Sequence, residues 1–361
     1  MDDTRRAGQE PPWRGALASP GVIPTEYLNL LWLDVSQDKA LTSSLRASLE
    51  RLHGAEAYQH WLQGSCREPF ALTRLAPGVD LEPLVRTGLA REGRLEVKVN
   101  RIDDRFFVTD GAWVSHVLRV FPDPDEAQLL LAHVRRRGLD TWADWVVDPA
   151  AGCGHTPLGF PGPARRVVCD ANVRALLYAS INARLNQLGP EQVVPLLNDM
   201  TAGFPPALKL DGNVLFLANV PFAVSARRGD LALNSAGGTT GADLQVASFQ
   251  LVRRFQREHP VPVRACFLTW TVGSLARDEW EVPLLCRDLF SDRTVEWSLV
   301  QDDTYELPNP TPLAEAMRYL AASPYAVQSS TPELERTYAE LTRQLEAQGH
   351  THVAYGMLEL L

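Results

Sequence analysis

From about Thr25 to Gly93, apolar residues recur at helical spacing, as at Leu41, Leu45, Leu49 and Leu52, with turn signals near Gly54, Gly64 and Pro77-Gly78. The spacing predicts a small helical module. At Leu95 the period becomes alternating: LEVKVNRI and RFFVTDG flank Asp103-Asp104 and predict a hairpin, followed by an apolar run from Trp113 to Phe121. From Asp125, EAQLLLAHVRRR has the stripe of an amphipathic helix. Short apolar runs then alternate with helical patterns: WVVDPA, RRVVCD, a helix over Arg174 to Leu188, VVPLLND and NVLFLANV. That alternation predicts an α/β fold with a mostly parallel sheet and crossover helices. GADLQVASFQLVRRFQREH adds a helix, VRACFLTWTV a strand, and EVPLLCRDL with TVEWSLV is expected to form a closing antiparallel ribbon. Beyond Pro308, LAEAMRYLAA and PELERTYAELTRQLEAQ predict two helices. The expected division is a disordered lead-in (1–24), a helical N-terminal domain (25–93), a hairpin connector (94–122), a sheet domain (123–307) and a helical C-terminal extension (308–361).

Composition adds bounds to this pattern. The chain has 361 residues, 45% hydrophobic and 22% charged, enough for a large core and an accessory domain. A net charge of -9 and a pI near 5.4 give no overall field that attracts phosphate backbones, which makes nucleic acid an unlikely partner. Cys66, Cys153, Cys169, Cys266 and Cys286 are scattered, lie mostly in apolar runs and lack metal-ligand spacing. They read as reduced cytoplasmic thiols, with no metal site expected. The first residues have no apolar signal core, and no stretch approaches a membrane span. Self-association is left open.

The candidate chemistry is centred on Val146-Val147-Asp148-Pro149-Ala150-Ala151-Gly152-Cys153-Gly154, a buried strand running into a tight turn. In a doubly wound sheet such a turn lies at the carboxyl edge of the first strand, where ligands bind. Gly152 and Gly154 permit backbone angles and close approach that a side chain blocks. RRVVCD ends in Asp170, 22 positions after Asp148, where a carboxylate can accept ribose hydroxyls. VVPLLND ends in Asp199, where a carboxylate can accept an adenine amino hydrogen. Helix capping is the alternative for Asp170 and Asp199. The turn lacks a phosphate-loop Lys, its Gly159 is off the dinucleotide register, and three prolines in HTPLGFPGPARR shorten the following helix to a turn or so. A cofactor without phosphate fits better.

The fourth strand ends in Asn219-Val220-Pro221-Phe222. With the preceding motifs, this resembles the amino-methyltransferases whose fourth strand ends in Asn-Pro-Pro-Tyr, above all the release-factor glutamine N5-methyltransferase branch and the neighbouring small-domain ribosomal RNA methyltransferases. FPDPDEAQLLLAHV resembles that branch's Pro-rich acidic segment, and ALNSAGGTTGADL its Gly-rich loop, so the likeness spans roughly Phe106 to Trp297. Val220 stands where the pattern has its first proline, and Ala150 where it has a glycine.

The resemblance implies a Rossmann-like class I methyltransferase that uses S-adenosyl-L-methionine (SAM). The cofactor would contact Asp148, Ala150, Gly152, Gly154, Asp170, Ala171, Asn172, Asp199, Met200 and Asn219. The Asn219 side-chain oxygen and Val220 carbonyl would accept an N–H of the target, Pro221 would hold Val220 extended, and Phe222 would stack on a planar amide or base. The implied acceptor is a planar nitrogen on a protein side chain or small molecule. Alternatives are an RNA base, an O-methylated natural product, and a SAM-binding scaffold without catalysis.

Other residues have two readings each. His155 is either a base or a structural residue at a helix entry; His116 and His133 read as surface or core. Trp142 and Trp145 read as packing, and Arg135-Arg136-Arg137 as a complement to a helix C-terminus. Thr109-Asp110 lies where the resembled family closes over its cofactor, and Asn234 to Gly241 reads as either a substrate lid or a simple connection.

Overall fold

The computed structural model describes residues 39–361 except 64–67, 77–78, 115–117, 122, 226–234, 302–306 and 323–330. The expected lead-in 1–24, the start of the helical module, Gly64, Cys66, Pro77-Gly78, His116 and Asn234 lie outside the described residues. The N-terminal module opens with α1 (Lys39–Gly54) and α2 (Glu56–Gln63), followed by the short α3 (Glu82–Arg86). Leu45, Leu49 and Leu52 of α1 form its buried stripe against Tyr58, Phe70 and Leu84. A two-residue ladder, β1 (Ala90–Arg91) with β2 (Arg94–Leu95), leads into the expected hairpin, β3 (Lys98–Ile102) paired with β4 (Arg105–Thr109).

Next come α4 (Asp125–Arg136), which buries Ala127, Leu130, Leu131 and Val134, and the single turn α5 (Leu139–Trp142). The sheet follows. Strands β5 (Trp145–Asp148), β6 (Arg165–Asp170), β7 (Val193–Leu197), β8 (Val214–Ala218) and β9 (Val263–Ser274) are parallel and lie side by side as β7-β6-β5-β8-β9. Chain order reverses between β5 and β8, so the carboxyl ends of these strands flank a topological switch point. Every residue of β5 and β8 is buried, as expected of strands covered on both faces, whereas the edge strand β7 exposes alternate residues.

The connections follow from local sequence. After β5 the prolines limit the crossover to one turn, α6 (His155–Gly159). Helix α7 (Val173–Leu185) is buried on two sides: Leu176, Ala179 and Ala183 face the sheet, while Ala175, Tyr178, Ile181 and Leu185 face the N-terminal module. Between those faces, Asn182 and Asn186 stand in for a strand partner along β4. The Asn182 carboxamide accepts Val108 N–H at 2.8 Å and donates to Val108 O at 3.0 Å; that of Asn186 accepts Phe106 N–H at 3.0 Å and donates to Phe106 O at 2.7 Å. Asn182 also donates to Cys153 O at 2.9 Å, which ties hairpin, helix and glycine turn together.

Two expectations in the last third are corrected. EVPLLCRDL is helix α9 (Glu281–Leu289), not a strand, and follows α8 (Asp243–Glu258) and the two-residue β10 (Glu279–Trp280). Its apolar residues Val282, Cys286 and Phe290 have helical spacing, and Pro283 suits a first helical turn better than a central strand. TVEWSLV does form a strand, β11 (Val295–Leu299), but its partner is the C-terminal β13 (His352–Leu360), which is antiparallel to both β11 and β9. The extension beyond position 307 therefore contains the expected helices, α10 (Leu313–Ala321) and α11 (Thr331–Ala347), and also completes the sheet, with β12 (Thr311–Pro312) alongside. The result is an α/β Rossmann-like sheet, mostly parallel with a reversed strand next to the last position, carrying a largely helical N-terminal module.

Replacing Asn182 with Ala leaves the Val108 N–H and C=O and the Cys153 C=O without their buried partner, so Asn182→Ala is expected to lower stability by about 3 kcal/mol in urea unfolding. A change below about 0.5 kcal/mol would contradict this anchoring role.

Candidate active site

Four of the chain's strands end at one edge, and each expected cofactor or acceptor residue lies at or just past such an end: Asp148 on β5, Asp170 on β6, Asp199 two residues past β7 and Asn219 one past β8. The turn after β5 adopts left-handed backbone at Gly152 (φ 56°) and Gly154 (φ 89°). The glycines serve different ends. A Cβ on Gly154 would collide with Leu158 at 2.6 Å, so this glycine is needed for packing, whereas a Cβ on Gly152 would meet open space. Gly152 thus leaves bare backbone beside open space.

Asp170 organises that turn. One carboxylate oxygen accepts Gly152 N–H at 2.8 Å and the other accepts Asn172 N–H at 2.8 Å, while Ala171 N–H adds a further bond. Burial nevertheless pushes its pKa up to about 6. The cap of α7 is Asn172, whose side chain accepts Arg174 N–H and donates to Leu118 O, so Asp170 is not the helix cap. Asp148 accepts Ala150 N–H at 3.0 Å, and burial followed by the Asp170 charge raises its pKa well above the usual range. Asp199 does cap a turn: its carboxylate accepts Thr201 N–H at 3.0 Å and the Thr201 hydroxyl at 2.8 Å, with Met200 half-buried beside it.

At the β8 end, Asn219 donates its amide nitrogen to Glu126 of α4 at 2.8 Å. Val220 is buried in the core, and the half-buried Phe222 ring lies 5.8 Å from that of Tyr355 on β13. Residues 235–241 pack onto this tetrapeptide as a formed loop. Ala223 N–H donates to Ser235 O, Gly237 N–H to Ala223 O and Ser225 N–H to Gly238 O, and a Cβ on Gly237 or Gly241 would strike the Phe222 backbone.

The remaining candidates resolve into support. His155 is buried against Phe107, with its Nε2 3.3 Å from the Asn100 amide, and burial drives its pKa down to about 3, which leaves it neutral and a poor base. Thr109 donates to Phe121 O; Asp110 is enclosed by Arg174, the Tyr178 hydroxyl and Val120 N–H. Trp142 and Trp145 lie under the Arg264 and Arg165 guanidinium groups, while Arg135 pairs with Asp103 and Arg137 with Glu296 and Glu359. His133, Cys266 and Glu359 bring ligand-type atoms within 4.8 Å of one another, but the Glu359 carboxylate already receives His133 and Arg137 nitrogens. Burial lifts the Cys153 thiol to about 12, so it is no nucleophile at neutral pH. Cys153, Cys169, Cys266 and Cys286 are all free, and among the described residues no helix is long and apolar enough to cross a membrane. Glu126, Lys98 and Asp123 are the site's unanticipated members: Glu126 lies in the acidic segment noted from sequence, yet only its contact with Asn219 singles it out.

No family model and no curated protein matches the chain. Among solved structures, it is similar to Trm5b from Pyrococcus abyssi (15% identity, TM-score 0.33), covering 60% of this chain and 57% of that one. It is also similar to the T. thermophilus 16S rRNA N2 G1207 methyltransferase in complex with AdoMet and guanosine (18%, TM-score 0.37, covering 57% and 47%). A third is the Streptomyces coelicolor A3(2) geranyl diphosphate C-methyltransferase in complex with Mg2+, geranyl-S-thiolodiphosphate and S-adenosyl-L-homocysteine (12%, TM-score 0.36, covering 66% and 76%). The chain thus spans little more than half of the first and less than half of the second. Likeness at this level assigns neither family nor activity.

Because Asp148 binds its proton more tightly in the folded chain than at the ordinary value of 3.8, it lowers stability as pH rises from that value through its raised folded pKa. Asp148→Asn keeps an oxygen for Ala150 N–H and removes the charge. Its Tm by calorimetry is expected to exceed wild type at pH 8, with the gain fading toward pH 3.8. A lower Tm at pH 8 would show that the ionised form holds the turn.

Proposed function

We propose that the chain is a SAM-dependent methyltransferase that methylates a planar nitrogen on a protein side chain or a small molecule. What carries the reading is the meeting, at one switch-point edge, of an open glycine turn, an Asp that ends the second strand, and an Asn that ends the fourth with its amide nitrogen already engaged. The donor set suits a neutral-tailed nucleoside better than a polyphosphate: carboxylates line the strand ends, and bare backbone borders Gly152.

In this reading Asp170, Asn172, Asp199 and Met200 face the nucleoside part of the cofactor, while Asp148, Ala150, Gly152 and Gly154 border its amino-acid part. When bound, SAM supplies an electrophilic methyl group. Asn219, with its nitrogen held by Glu126, offers its oxygen to an acceptor N–H, and the Val220 carbonyl offers a second acceptor in the same turn. Phe222 supplies a flat face for an amide or ring, and the 235–241 loop fixes its backbone. Alignment of acceptor and methyl group, rather than acid–base chemistry by His155, is the main source of rate. The N-terminal module and connector hairpin close the acceptor side.

The test is calorimetric titration of S-adenosylhomocysteine into wild type, Asp170→Ala and Asn219→Ala. Wild type is expected to bind with one site, Asp170→Ala to bind at least about tenfold more weakly, equivalent to about 1.4 kcal/mol, and Asn219→Ala to bind nearly as well as wild type. Folded wild type that does not bind would overturn the methyltransferase reading. Methyl transfer from labelled SAM to an RNA transcript but not to peptides or small molecules would replace the proposed acceptor with a base, and cofactor binding with no transfer to any class would favour a scaffold.

A further inference from the structure

Glu126 occupies a junction that the methyl-transfer reading leaves unexplained. It lies in the first turn of α4, its carboxylate accepts the Asn219 amide N–H at the end of β8, and the Tyr355 side chain of β13 approaches it. Three elements distant in sequence therefore meet on one acid. A carboxylate has only acceptors, whereas a carboxamide has a donor end and an acceptor end. An ionised Glu126 can bond only the nitrogen of Asn219, which turns the carboxamide oxygen away from Glu126. A protonated Glu126 also has an O–H to give, which the Asn219 oxygen can accept if the amide turns over. The orientation of the residue expected to receive the acceptor N–H thus depends on its neighbour.

We propose that Glu126 is a positioning residue whose carboxylate holds the Asn219 amide with its oxygen presented to the methyl acceptor, and whose protonation releases that orientation. This rests on the methyl-transfer reading above. The surroundings place the change at neutral pH. Withdrawal from water raises the Glu126 pKa to about 7, with the Asp123 and Asp125 charges adding to the rise and the bond from Asn219 opposing it. Asp123 in turn pairs with Lys98 of β3 and faces His155 of α6, which stays neutral through this range. Methyl transfer is therefore expected to rise with pH through about 7 as the carboxylate forms.

The experiment follows the Asn219 side-chain NH2 resonance in asparagine-15N-labelled full-length protein from about pH 5.5 to 8.5, a window about 1.5 units either side of that value. The resonance is assigned by its loss in Asn219→Ala. In wild type it is expected to shift with one midpoint near 7. In Glu126→Gln, which keeps an oxygen for the amide but cannot ionise, it is expected to be independent of pH. Asp123→Asn removes a charge that opposes the ionised acid, so its midpoint is expected to move downward, and it serves should Glu126→Gln fail to fold. A wild-type resonance that does not titrate, a midpoint that survives Glu126→Gln, or an unmoved midpoint in Asp123→Asn would overturn the proposal. Titration by wild type that binds no S-adenosylhomocysteine would instead defeat the methyltransferase reading and leave the Glu126–Asn219 coupling intact.

Discussion

The glycine turn at the switch point depends on one carboxylate, that of Asp170. Its two oxygens take backbone N–H groups from both sides of the switch point, Gly152 in the turn after β5 and Asn172 at the start of α7. A turn with two left-handed glycines is entropically expensive to order, and these bonds fix it where a Cβ-free backbone faces open space. The arrangement puts a second acid, Asp148, into the same buried region, where burial and then the Asp170 charge raise its cost of ionising. A pair of buried carboxylates that repel each other is poor design for stability alone, and it is the kind of tension found where a fold is shaped for a ligand.

The hairpin beside that turn is attached through side chains of one helix. A two-stranded hairpin has free edges, and here the edge of β4 is satisfied by the carboxamides of Asn182 and Asn186, one helical turn apart on α7. The same helix carries the cap Asn172 and the Arg174 and Tyr178 side chains that enclose Asp110. Helix α7 therefore sets the distance between the N-terminal module and the glycine turn. At the β8 end, β13 brings Tyr355 toward Phe222 and Glu126, so the C-terminal strand both extends the sheet and reaches the tetrapeptide.

The parallel half of the fold was legible because each strand is a short apolar run punctuated by Gly, Pro or Asp, and because α4 and α8 have clear one-sided stripes. The strand β13 was not, since HVAYGMLEL is buried on both faces and shows no alternation, and the paired Glu359 inside it reads as a surface position. EVPLLCRDL misled for the opposite reason: its apolar density resembles a strand while its spacing is helical. In the site, residues that act through backbone geometry, Gly152 and Gly154, were visible as motif members. Glu126 was not, because its role comes from a contact across 93 positions of chain that no local pattern encodes.

The most direct test of a methyl-donor site at this edge is a crystal structure of the full chain grown with S-adenosylhomocysteine. The account predicts ligand density against the Gly152 backbone, with the ribose hydroxyls on Asp170 and the sulfur end toward Asn219. Density lodged elsewhere, or an empty edge at saturating ligand, would contradict it.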